Sequence, residues 1–172
     1  MGRENISLQI DVKRKYVKEF IQEWNQFLAE NNECLDEDNL LEEEFFEPNG
    51  VDPESVSYEG DEIANLFDWP NDTGLMDFCK ALAGKYPDIE FNIEYELSWD
   101  NCADTLIEGY SVTNHKLRYD IMNGEYFCGE DNYDECEEEL EELKEDRPGL
   151  TVELIDEAYY LVASHTYGEE PV

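Results

Sequence analysis

Two histidines and five cysteines are the side chains in this sequence best suited to acid–base or nucleophilic catalysis. A nucleophile needs a general base beside it, but neither His115 nor His165 stands in a recognisable motif. We interpret both as partly exposed residues at strand ends. The patterns GxSxG, GxGxxG and GxxxxGKS/T are absent. A carboxylate pair could serve a glycosidase, yet among forty-six acidic residues some pair always has a suitable separation. We therefore predict that the protein is not an enzyme and uses no cofactor.

Carboxylates are also the usual ligands of calcium, and the segment DEDNLLEEEFFE over 36–47 resembles a calcium-binding loop in length. An EF-hand loop needs oxygen ligands at positions 1, 3, 5 and 12 and glycine at position 6. Acidic residues occupy positions 1, 3 and 12, but Leu40 and Leu41 occupy positions 5 and 6. We predict no dedicated metal site, only loose association of divalent cations with the acidic surface.

The cysteines are odd in number and include no CxxC pair, which favours reduced thiols in the cytoplasm over a disulfide framework. Zinc sites use short ligand spacings, whereas Cys128 and Cys136 lie eight residues apart and His115 is isolated. We predict buried packing roles for most of the five cysteines: Cys34, Cys79, Cys102, Cys128 and Cys136.

The net charge of −35 is the most unusual property of the 172-residue chain. Hydrophobic residues make up 41% and aromatic residues 13%, so the chain can build a core and is not a disordered acidic tail. The charge excludes nucleic acid and anionic membranes as direct partners and favours basic proteins. No signal-peptide pattern or long apolar run is present, so we expect a cytoplasmic protein, in the host cell if it is phage-encoded.

Acidic residues are concentrated in two stretches that contain no lysine or arginine. Residues 19–79 hold nineteen acids and residues 119–143 hold eleven. An ordinary solvated face mixes both signs and is stabilised by i,i+4 ion pairs. The absence of bases indicates that the acidic field itself has a function.

The segment EDNYDECEEELEELKED, over 130–146, contains eleven acids. Its apolar residues Tyr133, Cys136, Leu140 and Leu143 have helical spacing, which predicts an amphipathic helix with its acids facing outward. Such a helix presents these acids along about 25 Å, close to the charge density of duplex DNA, about one per 1.7 Å of axis. The predicted partner contacts lie in an acidic loop and on this helix: Glu42, Glu43, Glu44, Glu47, Asp131, Asp134, Glu135, Glu137, Glu138, Glu139, Glu141 and Glu142.

Hydrophobic periodicity predicts the elements that must position these acids. Further helices are expected within 13–31 and from a cap at Asp72 or Thr73 to just before Pro87. The Asn123–Gly124 pair is a hairpin-turn signal. Residues 31–54 are expected to be a loop with one or two short helical turns. Strands are expected at 6–12, in part of 56–69, at 89–97, 106–112 and 116–122, and twice within 150–164.

These elements predict a single α+β domain over 1–172, with an antiparallel sheet and two or three helices packed on one face. Residues 1–54 supply a strand, a helix and the acidic loop, and residues 55–172 supply the main sheet with two helices. A ferredoxin-like arrangement is one way to build such a sheet. The passage KYPDIEFNIEYE and the strands after it, over residues 73–127, resemble YubB-like ferredoxin-like domains of plasmids and phages, which implies a topology but no activity.

Small size, extreme acidity, many aromatic residues and the lack of catalytic motifs resemble the DNA-mimic inhibitors of phages and mobile elements. That class includes anti-restriction and anti-CRISPR proteins. The resemblance implies that the chain blocks the basic surface of a defence nuclease, foremost target-DNA or PAM binding by a Cas effector. An immunity or antitoxin-type protein that neutralises a basic toxin nuclease is the alternative, and a halophilic housekeeping domain is a third interpretation. The sequence leaves the oligomeric state open.

Overall fold

The computed structural model describes residues 2–31, 37–62, 74–99, 104–155 and 157–172. Short 3-10 turns lie at Arg14–Tyr16, Glu37–Asn39, Glu43–Phe45 and Glu130–Asn132. The helices are α1 (Val17–Glu30), α2 (Leu75–Lys85) and α3 (Tyr133–Asp146). The strands are β1 (Gly2–Lys13), β2 (Glu47–Pro48), β3 (Ser55–Glu62), β4 (Glu90–Trp99), β5 (Asp104–Thr113), β6 (Lys116–Gly129), β7 (Thr151–Ile155) and β8 (Ala158–Pro171).

The eight strands form one antiparallel sheet in the order β2-β3-β1-β4-β5-β6-β8-β7. The predicted α+β class with an antiparallel sheet is therefore confirmed, although the sheet makes up more of the fold than we expected. Helix α2 crosses over β1 to connect β3 with β4, and β4, β5 and β6 form a meander. None of the helices in the described ranges is long and apolar enough to cross a membrane.

The main core lies between the sheet and helices α1 and α2. Alternate residues of β1, from Ile6 to Val12, are at most 3% exposed, as their pattern predicted. The two helices meet through aromatic side chains, because the rings of Phe27 and Phe78 stack with their centroids 4.2 Å apart. The predicted caps Asp72 and Thr73 lie outside the described residues, and Gly74, with φ of 71°, directly precedes α2.

Helix α3 packs on the part of the sheet formed by β6 and β8. Its Leu140 is only 2% exposed, and the ring of Tyr133 stacks on Tyr159 of β8 at a centroid distance of 4.2 Å. Cys136 and Leu143 are half-buried on the same side. The predicted amphipathic helix is thus confirmed, with one side against the sheet and the other in solvent.

The predicted hairpin turn at Asn123–Gly124 is wrong, because both residues lie inside β6. The turn between β5 and β6 instead uses Asn114 and His115, with φ values of 52° and 59°. Positive φ at both central positions is the requirement of a tight type I′ hairpin. Gly124 lies at a register shift between β6 and β8, where there is no room for a side chain. A Cβ there would lie 2.9 Å from Met122 Sδ and 3.0 Å from the Leu161 carbonyl oxygen.

Replacing His115 by glycine is expected to raise the free energy of unfolding by about 0.5 kcal/mol. Glycine avoids the Cβ clash of the left-handed region, and its greater freedom in the unfolded chain offsets part of the gain. Urea unfolding of the variant measures the change. The matched control is Thr113→Gly, two residues earlier at the end of β5 and without a positive φ, which should lower stability. A lower urea midpoint for His115→Gly would contradict the turn assignment.

Candidate acidic recognition surfaces

The first surface is the α3 acidic face, which we define as Asp131, Asp134, Glu135, Glu137, Glu138, Glu139, Glu141 and Glu142. All eight side chains are exposed, as predicted. From Asp134 to Glu142 the helix carries seven carboxylates along about 12 Å. Among the described residues, none of these carboxylates lies within 4.0 Å of a basic group. The helix therefore holds a dense, unneutralised array in a rigid arrangement.

The second surface consists of the loop acids Glu42, Glu43, Glu44 and Glu47, which are also exposed. The Glu44 carboxyl group lies in hydrogen-bond contact with that of Glu42 and raises the pKa of Glu42. The nearest base is Lys18, whose Nζ lies 3.9 Å from a Glu43 carboxylate oxygen.

The loop acids are held by the core residues beside them. Phe46 is 9% exposed, and its ring contacts those of Phe20 and Tyr58 at centroid distances of 6.4 and 5.4 Å. The Asn25 side chain accepts a hydrogen bond from the Leu41 amide and donates one to the Leu41 carbonyl, at 2.8 and 3.0 Å. This anchoring fixes the acids in position on the surface.

The structure does not bring the two predicted groups together. Glu47 belongs to β2 at one edge of the sheet, whereas α3 packs against β6, five strands away. With a strand spacing of about 4.8 Å, the two groups are about 24 Å apart along the sheet. They can act together only on a partner with an extended basic surface.

A third acidic surface, which we did not predict as a set, is the sheet face opposite α1 and α2. We call it the open face and define its acids as Asp11, Glu47, Glu59, Asp61, Glu90, Glu94, Glu96, Asp120, Glu153 and Glu169. On β1, β3 and β4 these acids alternate with buried or half-buried residues, and strand pairing places Glu47, Asp120 and Glu169 on the same face. Glu153 reaches this face through its contact with His165. Alternation in β4 was visible in the sequence, but the pairing of distant strands was not.

Two grooves indent the open face. The larger, of about 980 Å³, is lined by Asp11, Glu59 and Glu90 and closed at one side by the loop after β2. Lys13 Nζ donates a hydrogen bond to Asp52 in that loop at 2.6 Å. This contact, with hydrogen bonds from the Glu54 amide and the Ser55 hydroxyl, lowers the pKa of Asp52 to about 2.

The smaller groove, of about 500 Å³, contains His165 between two carboxylates. Its Nε2 lies 2.5 Å from Asp120 Oδ1 and its Nδ1 lies 2.7 Å from Glu153 Oε2. Both contacts raise the pKa of His165, Glu153 more strongly than Asp120. The strand-end prediction for His165 is wrong, since it lies in the middle of β8, where it ties β6 and β7 together.

The cysteines fit the packing interpretation where they can be examined. Cys79 and Cys128 are buried free thiols, and burial raises the pKa of both. Cys136 is a half-buried free thiol on α3, in hydrogen-bond contact with Cys128. Cys34 and Cys102 lie outside the described residues. In the ranges that the structure describes, no three His, Cys, Asp or Glu side chains are grouped as metal ligands.

Comparison with known proteins adds no assignment to these surfaces. No family model matches the chain, and no curated protein or solved structure is significantly similar to it.

Proposed function

We propose that the protein is a nucleic-acid mimic that inhibits a defence nuclease by occupying its basic nucleic-acid-binding surface. The foremost target class is a CRISPR effector, whose binding of target DNA or PAM would be blocked. The observation that carries the proposal is the α3 acidic face. Seven of its eight carboxylates, from Asp134 to Glu142, lie along about 12 Å and match the density of duplex DNA, about one charge per 1.7 Å of axis.

The distribution of the basic residues supports this proposal. The ion pairs of the described residues lie away from the α3 acidic face. They use Lys13, Lys18, Lys80, Lys85, Lys116 and Arg118. These bases pair with acids near the core helices and the sheet, and Lys144 in the last turn of α3 forms no ion pair with the α3 acidic face among the described residues. A basic groove that binds this array gains by the same counterion release that drives its binding to DNA.

The decisive experiment is charge reversal on α3 in the triple variant Glu137→Lys, Glu138→Lys and Glu141→Lys. Purified Cas effector–guide complexes are mixed with labelled target DNA, and displacement of the DNA by the protein is measured. We expect the variant to compete at least roughly 100-fold less well, because like charges now face each other across the interface.

The matched control places the same charge change on α1 and α2, at the exposed residues Glu19, Glu30 and Asp77. It should compete within a few-fold of the original protein, and circular dichroism should show both variants folded. If the α3 variant displaces DNA as well as the control does, the α3 acidic face is not the mimic. Competition should also weaken steeply as salt concentration rises.

We further infer that the elements from β1 to β4 form a ferredoxin-like unit. The support is the element order β1-α1-β2-β3-α2-β4 with the strand order β2-β3-β1-β4, a split βαβ arrangement. The later strands extend this unit into the larger sheet that carries α3. An inhibitor of this kind acts in the cytoplasm of the cell whose nuclease it blocks.

A further inference from the structure

The open face of the sheet has no helix of this chain packed on it within the described residues. Buried side chains of β1 and β4, such as Leu8 and Ile93, point to the opposite side, toward α1 and α2. The open-face residues Glu90, Glu94 and Glu96 are exposed. Antiparallel sheets commonly leave one face solvated, so exposure alone does not indicate a partner.

The arrangement of charge on this face is more specific than exposure. Strand pairing aligns Asp61 with Ser7, Ser7 with Glu94, Glu94 with Gly109, and Gly109 with Asp120. We call this line of five residues the carboxylate row. Acids occupy every second strand, about 9.5 Å apart, and the smallest side chains lie between them. The row therefore alternates charge with open space across about 19 Å.

The backbone conformation does not explain why position 109 is a glycine. Its φ is not in the left-handed region, and a Cβ there would meet only the Asp120 carbonyl oxygen, at 3.7 Å. That distance is an ordinary van der Waals contact, so the backbone does not require glycine at this position. The missing side chain instead leaves the gap between Glu94 and Asp120 open.

The groove at this end of the row suits the long side chains of arginine and lysine. Ile107 and Leu154 contribute apolar walls, along which aliphatic stems can pack while the charged heads reach carboxylates. Two basic residues of the open face are paired with Glu169: Arg118 Nε and Lys116 Nζ lie 2.7 and 3.3 Å from its carboxylate oxygens. Within the row, Asp61 and Glu94 form no ion pair with a described basic residue, whereas Asp120 contacts His165.

We propose that the open face is a second docking surface, and that its occupant is a basic α-helix of the partner protein. This inference rests on the proposed function. Arginine or lysine at positions i, i+7 and i+14 of a helix recurs on one side about every 10.5 Å, close to the 9.5 Å spacing of the row. The flexible side chains accommodate the difference.

A designed helical peptide with arginine at i, i+7 and i+14 in an alanine- and glutamine-rich background tests the proposal. Its control has the same composition, with the arginines on three different sides of the helix. Amide chemical shifts of the full chain are followed by NMR, and affinity is measured by calorimetry at low salt. We expect the largest shifts at Ser7, Gly109 and Asp120, and tighter binding of the patterned peptide.

Two variants separate charge from shape. Asp61→Asn with Glu94→Gln should weaken peptide binding about fivefold by removing two exposed ion pairs. Gly109→Tyr should weaken it at least tenfold by filling the gap without changing charge. Glu19→Gln with Asp77→Asn is the charge-matched control on α1 and α2, and should change affinity less than twofold.

Shifts confined to the α3 acidic face, unchanged binding by the Gly109→Tyr variant, or no binding of the patterned peptide would each overturn the inference. A preference for a second copy of the chain, seen as shifts that depend on protein concentration alone, would do the same. The α3 charge-reversal assay tests the proposed function separately. Loss of DNA competition in that assay combined with no peptide contact on the open face would reject only this second surface.

Discussion

Replacing Trp24 by alanine is expected to lower the free energy of unfolding by about 3–5 kcal/mol, the range for deleting a buried large aromatic side chain. Trp24 is 0% exposed. Its ring lies 6.3 Å from that of Phe20 on the same helix and 6.1 Å from that of Phe78 on α2. Alanine would leave a cavity where the two helices meet the sheet. Guanidinium unfolding at fixed, high salt measures the loss while screening the self-repulsion of the chain.

Trp24→Phe refines this test. The indole Nε1 is buried and has no hydrogen-bond partner among the described residues, so phenylalanine removes an unsatisfied donor while keeping most of the apolar surface. Trp24→Phe should lower the free energy of unfolding by less than half as much as Trp24→Ala. The exposed position Gln22 on the same helix provides the control, since Gln22→Ala should change stability by at most about 0.5 kcal/mol. A loss below about 1 kcal/mol for Trp24→Ala would contradict the packing of α1 on α2.

The second large effect is a pH-dependent contribution of His165 to stability. Its two carboxylate contacts raise its pKa in the folded protein above the unfolded value of about 6.5. The stabilisation is therefore complete below about pH 6.5 and is lost as pH rises through the folded pKa. We expect the two charged hydrogen bonds to contribute about 1–2 kcal/mol to the free energy of unfolding. Solvent screening reduces this contribution, because the Asp120 side chain is 68% exposed.

Two sets of variants separate the contribution of the charged His165 side chain to stability from the general charge repulsion of a chain with −35 net charge. Unfolding free energies at pH 6 and pH 9 are compared for the original protein and for His165→Asn. The difference between the two proteins should be larger at pH 6. Asp120→Asn with Glu153→Gln should lower the pKa of His165 in an NMR titration. An equal difference at both pH values would show that the imidazole does not act as a charged bridge between β6 and β7.

Local elements of the fold could be predicted because they depend on neighbouring residues. The alternation of Ile6, Leu8, Ile10 and Val12 predicted β1, and the Tyr133–Leu143 spacing predicted α3. The hairpin prediction at Asn123–Gly124 was wrong, because an Asn-Gly pair is compatible with a tight turn and also with an irregularity inside a strand. Pairing with Leu161 and Val162, almost forty residues away, decided between them.

Some features of the candidate sites could likewise be predicted from the sequence, and others could not. Exposure of the loop acids and of the α3 acidic face followed from composition, because so many carboxylates cannot be buried without partners. The partners of His165 could not be predicted, since Asp120 lies 45 residues away and Glu153 reaches it from another strand. Nothing in the local sequence of β8 distinguishes this histidine from a solvated one.

By itself, the sequence determined the sign of the net charge, and it predicted most helices and strands. These properties depend on composition and on periodicity within a single element. Only the tertiary structure decided which acids lie side by side. It separated the loop acids from α3 by about 24 Å and aligned Asp61, Glu94 and Asp120 in one row. The physical reason is that strand register is set by packing between distant segments, and a shift of one residue would turn each carboxylate to the other face.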